Sequence, residues 1–329
     1  MTNVQHAKYR GRLPQLADGL YLTDGGLETT LIFHDGFELP MFAAFPLIES
    51  ERGRAALRAY YDRYVSMAVR DGNGFILESP TWRANPDWGA KLGYGRDRLA
   101  AMNRATIDMM QAIRAAHETS KTPLVISGCI GPRGDGYDPG ALMRADDAQD
   151  YHAWQIDVLK GAGADLVSAF TLTNIGEAVG IACAAKAAGI PCVSSFTLET
   201  NGRLPTGESL GYAIETVDRA TSRAPAYYMI NCAHPDHFSQ VLEEDAGWMQ
   251  RVRGIRANAS RKSHAELDNS TELDAGHPQE LGAQYADLLR RFPQINVLGG
   301  CCGTDHRHVE CIFASCRGTS NRQAMQAAE

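Results

Sequence analysis

A short run of β-forming residues followed by a longer stretch of helical character recurs eight times along this chain, and that alternation leaves few folds open. The β-rich runs fall at 20–23, 74–78, 123–127, 165–169, 192–196, 226–230, 254–257 and 295–298. The helical segments are 51–70, 96–117, 146–161, 175–188, 210–223, 235–253, 278–291 and 305–316. In the first of them Leu57, Tyr60, Tyr61, Tyr64, Val65 and Ala68 return at spacings of three and four, the period of a buried helix face. Strands separated by helices pair in parallel, because a parallel connection needs a crossover long enough to hold a helix. Eight such units close into an α/β fold of the (β/α)8 TIM barrel type, a single domain that accommodates the 329 residues. An open doubly wound sheet would also alternate, but the Gly-rich turns after the runs carry no G-x-G-x-x-G opening a helix. The expected division is a polar arm at 1–17 and the barrel at 18–329.

Composition supports a large core: 44% of residues are hydrophobic and 22% charged. A formal charge of −7 argues against a nucleic-acid partner, which demands a concentrated basic surface. The one basic stretch, Arg251, Arg253, Arg256, Arg261 and Lys262, reads as solvated helix end and loop. No uninterrupted apolar run is long enough to span a bilayer and residues 1–10 are polar, so no membrane partner and a cytoplasmic location are expected. Eight cysteines spread through such a chain are expected to be free thiols or metal ligands rather than disulfides. A homo-oligomer is left open.

In a barrel the chemistry collects at the C-terminal ends of the strands. Those ends read Asp24-Gly25-Gly26, Glu78-Ser79-Pro80-Thr81, Gly128-Cys129-Ile130-Gly131, Thr171-Leu172-Thr173-Asn174, Thr197-Leu198-Glu199, Asn231-Cys232, Asn258-Ala259-Ser260 and Gly299-Gly300-Cys301-Cys302-Gly303-Thr304. Adjacent side chains on a regular strand point to opposite faces, so Cys301 and Cys302 can share a metal only where the backbone leaves strand geometry. Flanking glycines permit that. A third soft ligand would come from another strand end, where Cys232 stands. Thiolates with one open position are the layout of a catalytic zinc site. The other readings are buried apolar cysteines, expected for Cys129, Cys183, Cys192, Cys311 and Cys316, and a strained vicinal disulfide for the pair. His306 and His308 are expected at the surface in the first turn of the last helix, and Glu199 and Glu208 as solvated loop carboxylates.

Together the Asp24-Gly25-Gly26 turn, the Asn231-Cys232 step and the Gly-Gly-Cys-Cys-Gly-Thr segment resemble the zinc-dependent homocysteine S-methyltransferase family, over residues 18–317. The resemblance implies Zn2+ on Cys232, Cys301 and Cys302, with the homocysteine sulfur completing a tetrahedron. It further implies that Asp24 binds the substrate ammonium, that the Gly25 and Gly26 amides receive its carboxylate, and that Thr81 and Asn231 lie in the substrate site. Three thiolates on Zn2+ leave a charge of −1, so a fourth thiolate stays nucleophilic at a pH well below the free thiol pKa of about 8.5.

The methyl donor must then be activated, and the chain has no room beyond a barrel for cobalamin or folate modules. A small onium donor such as S-methylmethionine, S-adenosylmethionine or betaine is expected, with a small-molecule thiol acceptor giving methionine. Aromatic faces hold such cations, and Trp82, Trp88, Tyr94 and Phe170 fall near the active face. Two departures bear on the acceptor. Strand four ends Ala169-Phe170-Thr171, where relatives carry Phe-Glu-Thr and use the glutamate for the substrate amino group. Strand two ends Glu78-Ser79-Pro80-Thr81-Trp82, where relatives often carry Asn before the Thr, and Glu78 is the candidate replacement contact. The competing readings are the same chemistry on another thiol, a non-catalytic zinc- or thiol-binding barrel, and a hydrolase using zinc-bound water. The sulfur-only ligand set speaks against the last.

Overall fold

A computed structural model describes residues 7–326 apart from 18, 244 and 269; residues 1–6 of the predicted arm and 327–329 lie outside the described residues. Eight parallel strands close a barrel in sequence order: β1 Tyr21–Leu22, β2 Gly74–Glu78, β3 Leu124–Ile130, β4 Leu166–Leu172, β5 Cys192–Phe196, β6 Pro225–Asn231, β7 Val252–Ala257 and β8 Val297–Gly300. The single-domain (β/α)8 barrel read from the alternation is the fold observed. In chain order the helices are α1 Leu27–Phe33, α2 Glu51–Asp71, α3 Pro86–Lys91, α4 Arg96–His117, α5 Ala145–Gly161, α6 Ile175–Ala188, α7 Leu210–Thr221, α8 Pro235–Phe238, α9 His264–Asp268, α10 Pro278–Arg291 and α11 His306–Gln326.

Local chemistry sets these boundaries. The Ser50 side chain accepts from Gly53 N–H to start α2, and Gly72 ends it in the left-handed conformation that a residue without Cβ adopts freely. Asn174 caps α6 in the same way, accepting from Glu177 N–H, and Ser209 caps α7. One predicted helix fails: 235–253 breaks after Phe238 into 3-10 turns at Ser239–Val241 and Gly247–Arg251. Tertiary contacts override its helical composition. Trp248 packs against Gly211 of α7, and the Arg251 guanidinium donates to the carbonyls of Pro225 and Ala226 and to Asp218.

Strand residues sort by parity. Phe75, Leu77, Ile126 and Val167 face the helices, whereas Tyr21, Ile76, Val125, Leu166, Val193, Tyr227 and Val297 fill the lower barrel interior. Leu13 joins that inner set, and Asn296 donates to the carbonyls of Gln15 and Gly19. Tyr9 N–H donates to Asp165, so residues 7–17 of the predicted arm pack against the barrel at the N-terminal ends of its strands. Toward the other end the interior turns polar at Glu78, Ser127, Ser168, Asn231 and Arg256, all buried.

Between β7 and β8 the Tyr285 hydroxyl of α10 accepts from Ala257 N–H at 2.8 Å and donates to Gly299 C=O at 2.7 Å. Removing it would leave two buried backbone groups unpaired beside the Cys301-Cys302 turn. Tyr285→Phe is therefore expected to lower unfolding stability by about 3 kcal/mol, measured by urea denaturation, with the far-UV spectrum unchanged.

Candidate metal centre

The three predicted cysteines converge at the C-terminal mouth. Their sulfur atoms all lie within 4.8 Å of one another, with Cys301 Sγ 3.1 Å and Cys302 Sγ 3.6 Å from Cys232 Sγ. A tetrahedral zinc site with bonds of about 2.3 Å separates its sulfurs by about 3.8 Å, so the cluster fits such an ion after small outward shifts. Its protonation fits as well. Hydrogen bonding with Cys232 and Cys302, aided by the Arg256 guanidinium, holds the Cys301 thiol well below its ordinary range, while the contacts with Cys301 and Cys302 push Cys232 up. A divalent cation is what such a set requires to shed its remaining protons together.

The backbone makes the convergence possible in the way the glycines suggested. Gly303 sits at φ +78°, which turns the chain so that neighbouring cysteines share one side. Gly26 is required by contact: a Cβ there would lie 2.6 Å from the Cys301 carbonyl oxygen. Cys232 itself adopts φ 56° and Thr171 φ 62°, left-handed conformations costly for residues with a side chain. Asn231 stabilises the second of them. Its Oδ1 accepts from Thr171 N–H and Ser195 Oγ, and its Nδ2 donates to Thr171 Oγ1. The Cys232 carbonyl accepts from His264 Nε2 at 2.7 Å, and Glu199 lies 3.3 Å from the other ring nitrogen.

A cavity of about 480 Å³ opens above the sulfurs. Asp24, Gly25, Gly26, Glu78 and Asn231 line it with the three cysteines, but Thr81 does not: its hydroxyl is turned to the Cys129 carbonyl and Ser79. Gly26 N–H is already spent on the Thr304 carbonyl, whereas Gly25 N–H has no partner among the described residues. Asp24 is not free either, because Arg256 Nη2 stands 2.9 Å from Oδ1 and Tyr60 donates to Oδ2. Glu78 keeps one oxygen uncommitted. Its Oε1 accepts from Ser168, its Oε2 is buried without a partner, and burial pushes its pKa up to about 7.

Four residues that the sequence reading did not place at the site belong to it. Arg256, expected as a solvated cation, is buried at the mouth, where it donates to the carbonyls of Gly300 and Gly25. Burial opposes its charge, but Asp24 and Glu78 outweigh that and push its pKa up. The usable signal was a charged residue inside a β-rich run of a barrel, at the inward parity. Glu28 lines the cavity from the first turn of α1, its pKa pushed up to about 7 by burial. The Tyr137 hydroxyl lies 3.2 Å from Cys232 Sγ and 3.5 Å from Cys302 Sγ, with the ring stacked on His264. Arg83 lines the same wall. Tyr137 and Arg83 sit in loops, where nothing local announces them.

Other expectations change too. His308 is fully buried between Asp305 and the Ala275 carbonyl rather than at the surface. Cys129, Cys192 and Cys316 are buried as expected, while Cys183 and Cys311 are half-buried. The donor cage does not assemble. Trp88 and Tyr94 do not line the cavity, and Arg98 lies over Tyr94, Arg256 over Phe170, Arg83 over Trp82 and Trp88, and Lys91 over Trp88.

Comparison with known proteins agrees with the geometry. Residues 21–316 match the family described as Homocysteine S-methyltransferase. Among curated relatives, Homocysteine S-methyltransferase 4 of Zea mays is 23% identical over 92% of this chain and 90% of its own length. Selenocysteine Se-methyltransferase of Brassica oleracea var. italica is 22% identical over 89% and 88%. Among solved structures, the oxidized form of the Escherichia coli homocysteine methyltransferase MmuM superposes with a TM-score of 0.71 at 21% identity, covering 92% of this chain and 97% of that one. Its metallated form gives 0.68 at 20% identity, covering 91% and 96%.

Purified from zinc-supplemented medium, the protein is expected to carry about one zinc per chain by elemental analysis, as a single three-sulfur site implies. Cys301→Ala is expected to lose most of that metal while keeping its helical spectrum.

Proposed function

This chain belongs to the homocysteine S-methyltransferase family, and on that premise we propose that it moves a methyl group from a small onium donor to the thiolate of homocysteine, giving methionine. The observation that carries the reading is the convergence of Cys232, Cys301 and Cys302 on a cavity that also holds Glu78, a buried carboxylate with an unpartnered oxygen that can take the ammonium of an amino-acid acceptor. A zinc ion on the three sulfurs would keep the acceptor sulfur an electron-rich thiolate at neutral pH.

The protein's own groups do the rest. Glu78 takes the part of the glutamate that relatives carry on strand four, reaching the barrel interior from β2 and touching Ser168 of β4 at 3.2 Å. Phe170, in the position of that glutamate, lines the cavity as an apolar wall. Gly25 N–H is open to the acceptor carboxylate, and Arg256 holds Gly25 in place through its carbonyl. Asp24 acts through that same guanidinium, as a positioning group. The Tyr137 hydroxyl lies against the Cys232 and Cys302 sulfurs, so an entering acceptor can accept a hydrogen bond from it. A mostly buried pocket excludes the water that would compete for the donor.

Incubation with homocysteine and a panel of donors (S-methylmethionine, S-adenosylmethionine, betaine and dimethylsulfoniopropionate), followed by mass spectrometry, is expected to yield methionine. Full turnover by metal-free protein would overturn the reading. Glu78→Gln is expected to raise the homocysteine KM about tenfold or more, the worth of one charge-assisted hydrogen bond, with zinc content unchanged. Because the Glu78 carboxyl titrates near 7, the acceptor KM of the native protein is expected to rise as pH falls from 8 to 6. In Glu78→Gln that dependence is expected to flatten.

A further inference from the structure

One buried ring meets both the backbone of a sulfur ligand and the aromatic residue that lies on the sulfurs. His264, at the start of α9 in the loop between β7 and α10, places Nε2 2.7 Å from the Cys232 carbonyl oxygen. Its face stacks on Tyr137, with ring centroids 4.2 Å apart and planes 20° from parallel. A carbonyl only accepts, so Nε2 carries the proton and donates it. Thr197 Oγ1 stands 3.3 Å from the same nitrogen and Glu199 Oε1 3.3 Å from Nδ1, which fixes the rotation of the ring. The loop delivers His264 by closing on itself and on the cysteine turn. Ser260 Oγ donates to Asp274 at 2.6 Å, the Arg261 carbonyl lies 2.9 Å from His237 Nε2, and Ala259 N–H donates to the Cys302 carbonyl.

Cys232 needs such a partner. At φ 56° it holds a conformation that persists in a residue with a side chain only where the surroundings over-determine it. Its two peptide groups are the handles. The N–H donates to the Arg256 carbonyl at 3.1 Å, and the C=O accepts from His264 at 2.7 Å and from Thr197 at 3.3 Å. Without the shorter of these bonds the carbonyl keeps only the longer one, and the peptide is freer to leave the left-handed region and take Sγ away from the cluster. Tyr137 has a matching need, since residues 131–144 contain neither helix nor strand. Its hydroxyl reaches Cys232 Sγ and Cys302 Sγ at 3.2 and 3.5 Å while its ring packs on the His264 face.

We propose that His264 is a positioning residue of the metal centre: its N–H holds the Cys232 ligand through the backbone carbonyl, and its face holds Tyr137 against the sulfurs. Metal affinity and the order of the Tyr137 loop are thus set by one side chain that is itself no ligand. Neither role depends on which thiol or donor the site takes. The two roles draw on different chemistry, a hydrogen-bond donor and an aromatic face, and substitution can remove one without the other.

The test compares native protein with His264→Gln and His264→Phe. Glutamine sets its amide N–H where the imidazole has Nε2 and offers no aromatic face, whereas phenylalanine keeps the face and lacks the donor. In competition with a chromophoric chelator, His264→Phe is expected to bind zinc about ten- to a hundredfold more weakly than native protein, and His264→Gln to stay close to native. In hydrogen–deuterium exchange at saturating zinc, peptides covering 131–144 are expected to exchange faster in His264→Gln and at the native rate in His264→Phe. Native zinc affinity in His264→Phe, an equal loss in His264→Gln, or loop exchange that is the same in both variants overturns the proposal. Should His264→Phe fail to fold, His264→Leu, which lacks donor and face alike, is expected to bind zinc as weakly and to exchange as fast as His264→Gln. Native behaviour of His264→Leu in either measurement overturns the proposal as well.

Discussion

The buried guanidinium of Arg256 is the interaction on which the mouth of this barrel depends. From the inward parity of β7 it reaches the Asp24 carboxylate, the Gly25 carbonyl after β1 and the Gly300 carbonyl at the end of β8. The two loops that it joins are the ones that carry the glycine turn and the cysteine pair. A cation in a barrel interior is costly unless it is paired and hydrogen-bonded, and here its partners are backbone and carboxylate groups that must be held still for chemistry. The desolvation cost and the ordering of the site are thus two aspects of one arrangement. The same charge also stabilises the Cys301 thiolate, tying loop geometry to ligand protonation.

Around this tether the cavity gathers charges of both signs. Glu78 sits among strand residues, with an unpartnered oxygen and a carboxyl that titrates near neutrality. Arg83 lies over the rings of Trp82 and Trp88 with Asp135 3.6 Å away, and Glu28 lines the same cavity. The three sulfurs line the same cavity. Strain is placed accordingly. Thr171 and Cys232 hold left-handed backbone at the sulfur cluster, and Asn231 fixes the first by two hydrogen bonds while a third ties Asn231 to Ser195.

Much of this was legible beforehand, for reasons that can be named. The strands were readable because a parallel barrel buries both faces and therefore needs continuous β-forming runs. The helix Arg96–His117 was readable to the residue because a two-sided periodic segment declares its own ends. The metal ligands stood out because glycine-flanked adjacent cysteines are hard to explain by packing. Segment 235–253 misled because its composition is helical while Trp248 and Arg251 are committed to contacts with α7 and β6. The basic stretch misled in the same way: Arg256 and Arg261 are alike in sequence, yet one lies in the barrel and the other forms ion pairs on the surface.

The division between the two levels of information follows from range. Periodicity, turn residues and the sulfur pair are local properties, carried by residues a few positions apart, and they determined the barrel, its strand order and the expectation of a thiol cluster at its mouth. What the tertiary structure alone decided is which polar groups meet: Arg256 with Asp24 across 232 positions, Glu78 with Ser168 of β4, Arg83 with two rings expected to hold a ligand. Electrostatic partnership depends on distance and desolvation, and neither quantity exists until the chain has closed on itself.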